Sequence, residues 1–225
     1  MPKRYEQFTN GEIFHVFNKT INSQNLFDTN DKCSQFIERV KYYRSTKSTI
    51  SYSHLNKFEE RERKRFIQKT LLKKYFKVEI LVYSLMPTHF HFLLRQNDNN
   101  GIQNFISNAA NSFTRYHNIK YEKLGPLFLP RFKSVKVTSE EQAMHVSRYI
   151  HLNLYSSGLC KNIEELVNYK WSSFKEYVGD VKNGLCDKTF ILGLFNFNKE
   201  RYKRFVFNNA DYQKSLEHIK YTNKW

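Results

Sequence analysis

The stretch Met86-Pro87-Thr88-His89-Phe90-His91-Phe92-Leu93-Leu94 limits this chain more than any other. An apolar run, Val78 to Leu85, precedes it, and Arg95 closes it. Pro87 interrupts the run, because proline donates no ladder hydrogen bond and is confined to strand ends, edges and bulges. Two strands joined by a turn follow from that pattern. Side chains alternate along a strand, so His89 and His91 share one face and Phe90 and Phe92 the other. Two imidazoles side by side make half of a metal site. They are also what an ordinary histidine pair on a polar sheet face looks like, and at this spacing alone that is the commoner case.

The chain on either side reads as alternating strands and helices. Ile13-Phe14-His15-Val16-Phe17 is rich in aromatic and β-branched residues and predicts a strand. Asn18 to Gln24 reads as a loop. A helix is expected over 30–44, with Cys33, Phe36, Ile37, Val40 and Tyr43 near one face. Asn56 followed by Glu59 has the form of a capping box opening a charged helix with Ile67, Leu71 and Tyr75 on its apolar side. Beyond the central pair of strands, Ile102, Phe105, Ala109, Phe113 and Tyr116 recur at helical spacing and predict a buried stripe. A basic-aromatic loop, Gly125 to Lys133, feeds a short strand over 134–137. Thr138 with Glu141 predicts the start of a helix that runs to about Leu154. The order strand, helix, strand, strand, helix, strand is the split βαβ, ferredoxin-like plan: an α+β fold with an antiparallel sheet and helices on one face. The expected division is a main domain over 1–158, with a helical insertion around 45–77, and a C-terminal helical extension over 159–225 packed on it.

Composition narrows the function classes. A formal net charge of +16 points to a polyanion, nucleic acid being the commonest. No apolar run approaches a membrane span, and the start, Met1-Pro2-Lys3-Arg4-Tyr5-Glu6, lacks the apolar stretch of a signal peptide. No membrane partner and a cytoplasmic location are therefore expected. Cys33, Cys160 and Cys186 are widely spaced and odd in number, which fits free thiols in a reducing compartment. The sequence contains no P-loop and no Gly-rich dinucleotide turn.

A second constellation lies in Ser147-Arg148-Tyr149-Ile150-His151-Leu152-Asn153. Tyr149 and Asn153 are four apart on a helix and share a face, with His145 one turn earlier, while Arg148 and His151 project elsewhere. The alternative is a half-buried core tyrosine and an asparagine near the helix end.

Taken together, the His-hydrophobic-His strand after Met-Pro and the Arg148–Asn153 helix resemble the HUH single-tyrosine transposases. The REP-associated tyrosine transposases, related to those of small insertion sequences, are the most similar branch. Gly11 to Asn18, Thr114-Arg115-Tyr116, Leu127-Phe128, Arg131-Phe132-Lys133 and Trp171-Ser172-Ser173 extend the likeness to most of the chain. Two positions depart from the family pattern: Thr88 stands where Asn is usual, and Leu154 where Pro is usual.

The resemblance implies His89, His91 and Asn153 as ligands of a divalent metal, Mg²⁺ or Mn²⁺, and Tyr149 as a nucleophile that forms a 5′-phosphotyrosine. Topology agrees on the tyrosine, because the helix after the last strand can cross the open sheet face. The resemblance further implies single-stranded or hairpin DNA as partner, with Arg115, Arg131, Lys133 and Arg148 as DNA-binding candidates. A monomer or a homodimer is compatible with it, and the extra C-terminal segment favours the monomer. The alternative is a domesticated, non-catalytic protein that binds hairpin DNA or RNA on the same fold. An RNA-recognition module, a zinc hydrolase and a two-histidine phosphoesterase each lack their required motif.

Overall fold

The computed structural model describes residues 7–181 and 183–222, with side chains as far as Leu216. Four strands, β1 (Ile13–Lys19), β2 (Val78–Met86), β3 (His89–Gln96) and β4 (Lys133–Val137), form one antiparallel sheet in the order β2-β3-β1-β4. That order is what the ferredoxin-like plan requires. The first strand runs two residues further than its apolar core implies, and a 3₁₀ turn follows it at Ile21–Ser23.

The chain divides into two compact units. One takes in the chain as far as Glu79, with Pro87–His89 and Leu94–Lys136; the other takes Ile80–Met86, Phe90–Leu93 and the chain from Val137 on. In the first, α1 (Asn30–Tyr43) starts at Thr29, whose hydroxyl accepts from the Lys32 N–H at 3.3 Å. It packs against α3 (Gly101–Lys120) through a knot of rings in which Phe36 lies 5.4 Å from Phe113 and 6.0 Å from Phe128. Between them comes α2 (Glu60–Thr70).

The insertion departs from the expected capping box. Residues 52–57 form a 3₁₀ turn, the helix begins four residues after Asn56, and Glu59 caps it without a side-chain bond. Its expected apolar side is also largely solvated, with Leu71 43% exposed and Ile67 half-buried. Three apolar positions among so many charges are too few to bury a helix side. On α3 the stripe Ile102, Phe105, Ala109 and Phe113 is buried as the periodicity predicts. Tyr116 instead sits at the rim, its hydroxyl donating to Asp31 at 3.3 Å, and His117 takes the inner place.

Among the described residues the second unit holds α4 (Glu140–Ser156) and five further helices: α5 (Glu165–Asn168), α6 (Phe174–Val178), α7 (Thr189–Gly193), α8 (Lys199–Phe207) and α9 (Ala210–Thr222). The start of α4 is one residue later than expected. Ser139 is the cap, accepting from Gln142 N–H at 3.0 Å, and the Gln142 side chain reaches back to the Thr138 N–H at 2.7 Å. The capping box is thus built from Ser139 and Gln142.

The strand segments in this unit are buried along both faces: Ile80, Leu81, Val82 and Leu85 of β2 and Phe90, Phe92 and Leu93 of β3 are at most 1% exposed. A near-continuous apolar run is the sequence pattern of strands covered twice. The outer edge of β2 is also occupied. Leu85 N–H donates to Trp171 O at 2.8 Å, Ser173 N–H to Tyr83 O at 3.0 Å, and Asp187 N–H to Ile80 O at 2.8 Å. All three cysteines are free, Cys33 and Cys160 buried and Cys186 half-buried.

Candidate active site

The turn at Pro87 and Thr88 starts β3 in the register that alternation predicts. Phe90 and Phe92 are fully buried with ring centroids 5.3 Å apart, and His89 and His91 occupy the opposite face of the strand. His89 is half-buried, and its Nδ1 lies 2.9 Å from the Thr88 hydroxyl. Threonine here does what a metal-binding imidazole needs of its neighbours: it fixes the ring through one nitrogen. His91 is 5% exposed.

On the same side of β3 lies α4. The Tyr149 ring stands edge-on to the His91 imidazole, with centroids 6.0 Å apart and planes at 85°. Tyr149 is half-buried, whereas Asn153, one turn on, is 5% exposed. The Asn153 Oδ1 accepts from Gln213 Nε2 of α9 at 3.2 Å, and the same amide donates to the Tyr149 carbonyl at 3.2 Å. Asn153 Nδ2 is buried with no hydrogen-bond partner. A buried amide left half-satisfied is costly and calls for an explanation beyond packing. Leu154 is fully buried and continues α4 to Ser156 where a proline would have disturbed it.

The helix is held in rotation by a fully buried histidine. His151 Nε2 lies 2.8 Å from Ser173 Oγ, and its Nδ1 lies 2.8 Å from the Tyr202 hydroxyl. Tyr202 reaches Ser147 Oγ at 3.2 Å, and Ser173 Oγ also accepts the Tyr83 N–H at 2.9 Å. Both ring nitrogens are partnered in either neutral tautomer, and burial pulls the His151 pKa down to about 3. The imidazole is therefore neutral and structural. His145 is exposed, pairing its Nδ1 with Arg148 at 2.8 Å.

Among the DNA-binding candidates, Arg148 is half-buried and stacks on Phe205 at 4.5 Å. Arg115 on α3, Arg131, and Lys133 at the start of β4 are exposed. Neither Gln213 nor the His151–Ser173–Tyr202 network was singled out by the sequence. Trp171-Ser172-Ser173 marks one member of the network, but nothing in the sequence signals Gln213.

The donor set suits a divalent cation. An imidazole nitrogen of His91 and the amide oxygen of Asn153 are a mixed nitrogen–oxygen pair of donors; Asn153 Oδ1 keeps a second lone pair beyond its bond from Gln213, whereas its unpartnered Nδ2 is a hydrogen-bond donor and holds no cation. Among the described residues no three or more His, Cys, Asp or Glu gather into a metal-holding group.

A tyrosine helix thus stands against the histidine strand of a ferredoxin-like sheet, and the family model supports a transposase-type function. Residues 50–153, which include β3 and α4 as far as Asn153, match the family model for IS200-like transposases. The match spans just under half of the chain and supports a place among the HUH single-tyrosine transposases.

Among solved structures, a REP-associated tyrosine transposase bound to a REP hairpin is similar at 13% identity and a TM-score of 0.54. The match covers 83% of this chain and 94% of that one. A transposase from Deinococcus radiodurans R1 is similar at 12% identity over 66% of this chain and 95% of its own, with a TM-score of 0.36. A bacterial tRNA(His) guanylyltransferase-like protein in complex with ATP is similar at 11% identity over 74% and 71%, with a TM-score of 0.35. No curated protein matches the chain. No helix among the described residues is long and apolar enough to cross a membrane.

Proposed function

We propose that this protein cleaves and rejoins single-stranded DNA at hairpin or palindromic sites through a 5′-phosphotyrosine on Tyr149. The observation that carries the reading is the His91 ring facing Tyr149 at 6.0 Å, with Asn153 one turn further on the same helix. His89, His91 and Asn153 would hold Mg²⁺ or Mn²⁺. The ion, when bound, would neutralise charge on a non-bridging phosphate oxygen and polarise the phosphorus.

The chain's own residues supply the rest. Thr88 fixes the His89 ring, and Gln213 fixes the Asn153 carboxamide. The Tyr149 Oη forms a bond to phosphorus as the bond from phosphorus to the 3′ oxygen breaks. The phenolic proton ends on that 3′ oxygen, leaving a free 3′-hydroxyl. The covalent link keeps the bond energy, so a second 3′-hydroxyl can reverse the step and release Tyr149. Exposed Arg115, Arg131 and Lys133 would track the backbone, and Arg148 would act beside the tyrosine. In this reading the catalytic domain is 1–158, the extension 159–225 packs on it, and the protein works in the cytoplasm as a monomer or a homodimer, the monomer being favoured.

The test is incubation of the protein with 3′-labelled hairpin DNA and Mn²⁺, followed by a denaturing gel and peptide mapping. Wild type should carry label on Tyr149, and Tyr149→Phe should bind DNA but carry none. Label that persists in Tyr149→Phe, or that maps to Tyr155, overturns the assignment. A wild type that binds hairpins yet never forms an adduct supports the non-catalytic binding alternative.

A further inference from the structure

Outside the candidate active site, the most one-sided surface is that of α2. From Lys57 to Lys77 the chain has nine Lys and Arg against three Glu, a net +6 within a total of +16. Arg61, Lys64, Arg65, Gln68 and Lys69 fall at i, i+3, i+4, i+7 and i+8, so they line one helix face, and all five are exposed. The opposite side, Arg63, Phe66, Ile67 and Thr70, is half-buried or buried.

A merely solvated helix usually mixes signs and ties them with i,i+4 pairs. Here the three carboxylates, Glu59, Glu60 and Glu62, are gathered at the helix start. Among the described residues, Lys64 is the one cation of the stripe in an ion pair, with Glu60. The helix contributes a single fully buried side chain, Thr70, so the core gives little reason for the stripe. Immediately after it, Leu71 and Leu72 are 43% and 48% exposed, and exposed apolar groups beside cations suit a partner with both charge and flat apolar surface.

We infer that the outer face of α2 is a docking surface for the nucleic-acid backbone. Arg61, Lys64, Arg65 and Lys69 lie along about 12 Å of helix and would neutralise consecutive phosphates of a hairpin stem. The inference rests on the proposed DNA substrate but concerns a different surface from Tyr149 and the histidines. Each phosphate neutralised on duplex DNA adds about 0.9 to the slope of log affinity against log salt. Removing four such contacts should lower the slope by about 3 to 4.

The experiment measures fluorescence anisotropy of a labelled DNA hairpin, its stem longer than one helical turn, across a potassium chloride series. Arg61→Gln, Lys64→Gln, Arg65→Gln and Lys69→Gln are combined in one variant, glutamine being a good helix former. A control carries Lys161→Gln, Lys175→Gln, Arg201→Gln and Arg204→Gln, four exposed cations elsewhere with the same change in charge. The α2 variant should lose about 3 or more from the slope and the control less than about 1. The pair Arg61→Gln and Arg65→Gln alone should lose about half as much as the full set, which keeps the test decisive if four changes disturb the helix.

Equal losses in variant and control overturn the inference, because the charge would then act only as a diffuse field. So does an unchanged DNA slope accompanied by lost binding to phosphatidylserine vesicles, which would make the stripe a membrane contact. Tyr149 adduct formation at saturating DNA and low salt is the separate readout for the proposed chemistry. It should be unchanged in the α2 variant, and its absence from wild type would strike that chemistry while leaving the slopes to decide the docking surface.

Discussion

Replacing Tyr202 by phenylalanine tests the network that fixes α4. The ring itself would stay: it lies 4.9 Å from Tyr177 and 5.1 Å from Phe195, and the residue is fully buried. No cavity of ring size is created, so the transfer and void terms of a large-to-small change are nearly absent. What disappears is one hydroxyl, 2.8 Å from His151 Nδ1 and 3.2 Å from Ser147 Oγ.

Ser147 keeps its bond to the Met144 carbonyl at 2.7 Å, so its loss is small. His151 Nδ1 is left facing hydrocarbon in a site that water does not reach. A buried polar atom deprived of its partner costs about 1–3 kcal/mol, and the fully enclosed ring nitrogen puts the expected value near the middle, about 2 kcal/mol. For a chain of this size that corresponds to a fall in melting temperature of roughly 4–8 °C. Urea unfolding is the assay, with the midpoint lowered and the slope unchanged. A loss below about 0.5 kcal/mol would refute the reasoning, since it would mean that the hydroxyl carries no net hydrogen bond.

The remaining predictions concern pH, a close approach and the donor set. His15 and His151 are pulled by burial from 6.5 to about 4 and about 3. The unfolded chain therefore binds more protons than the folded one as pH falls from 6.5 toward 4, and stability must fall with it; identical urea midpoints at pH 7 and pH 5 would contradict this. Gly101→Ala would set a Cβ 2.5 Å from the Lys77 carbonyl oxygen, which also accepts the Asn97 and Asp98 N–H groups and cannot easily yield. It should cost about 1–3 kcal/mol, and a thermal melt matching wild type would refute it. In calorimetric titration with Mn²⁺, His91→Ala should abolish binding and Asn153→Ala weaken it less, because water can replace an amide oxygen; equal effects would undo the assigned roles.

How much of this was legible depends on the range of the interactions. The hairpin of β2 and β3, the shared face of Tyr149 and Asn153 and the α3 stripe as far as Phe113 are local periodicities and came through, Tyr116 alone giving up its inner place to His117. Caps came through displaced, because Thr138-Ser139 and Glu141-Gln142 offer the same chemistry one residue apart. The short insertion misled, since Ile67, Leu71 and Tyr75 match a helical stripe by spacing while little core lies behind them. His151, Ser173 and Tyr202 were out of reach: they lie up to 51 residues apart in the chain and meet only once the helices pack. Gln213 belongs to the same class, 60 residues from the amide that it holds.

The covered edge of β2 bears on how the chain is made. Val78 to Met86 is apolar, carries one charge and contains no proline, the composition of segments that stack into fibrils when left unpaired. Its outer hydrogen bonds are met by Trp171, Ser173 and Asp187, which leave the ribosome about a hundred residues later. At roughly 5–20 residues per second that leaves the edge bare for about 5–20 s in each round of synthesis. Every nascent copy passes through this interval. Two ribosomes following one another on a message then hold two such edges close together, and a message that stops near residue 158 would never close them.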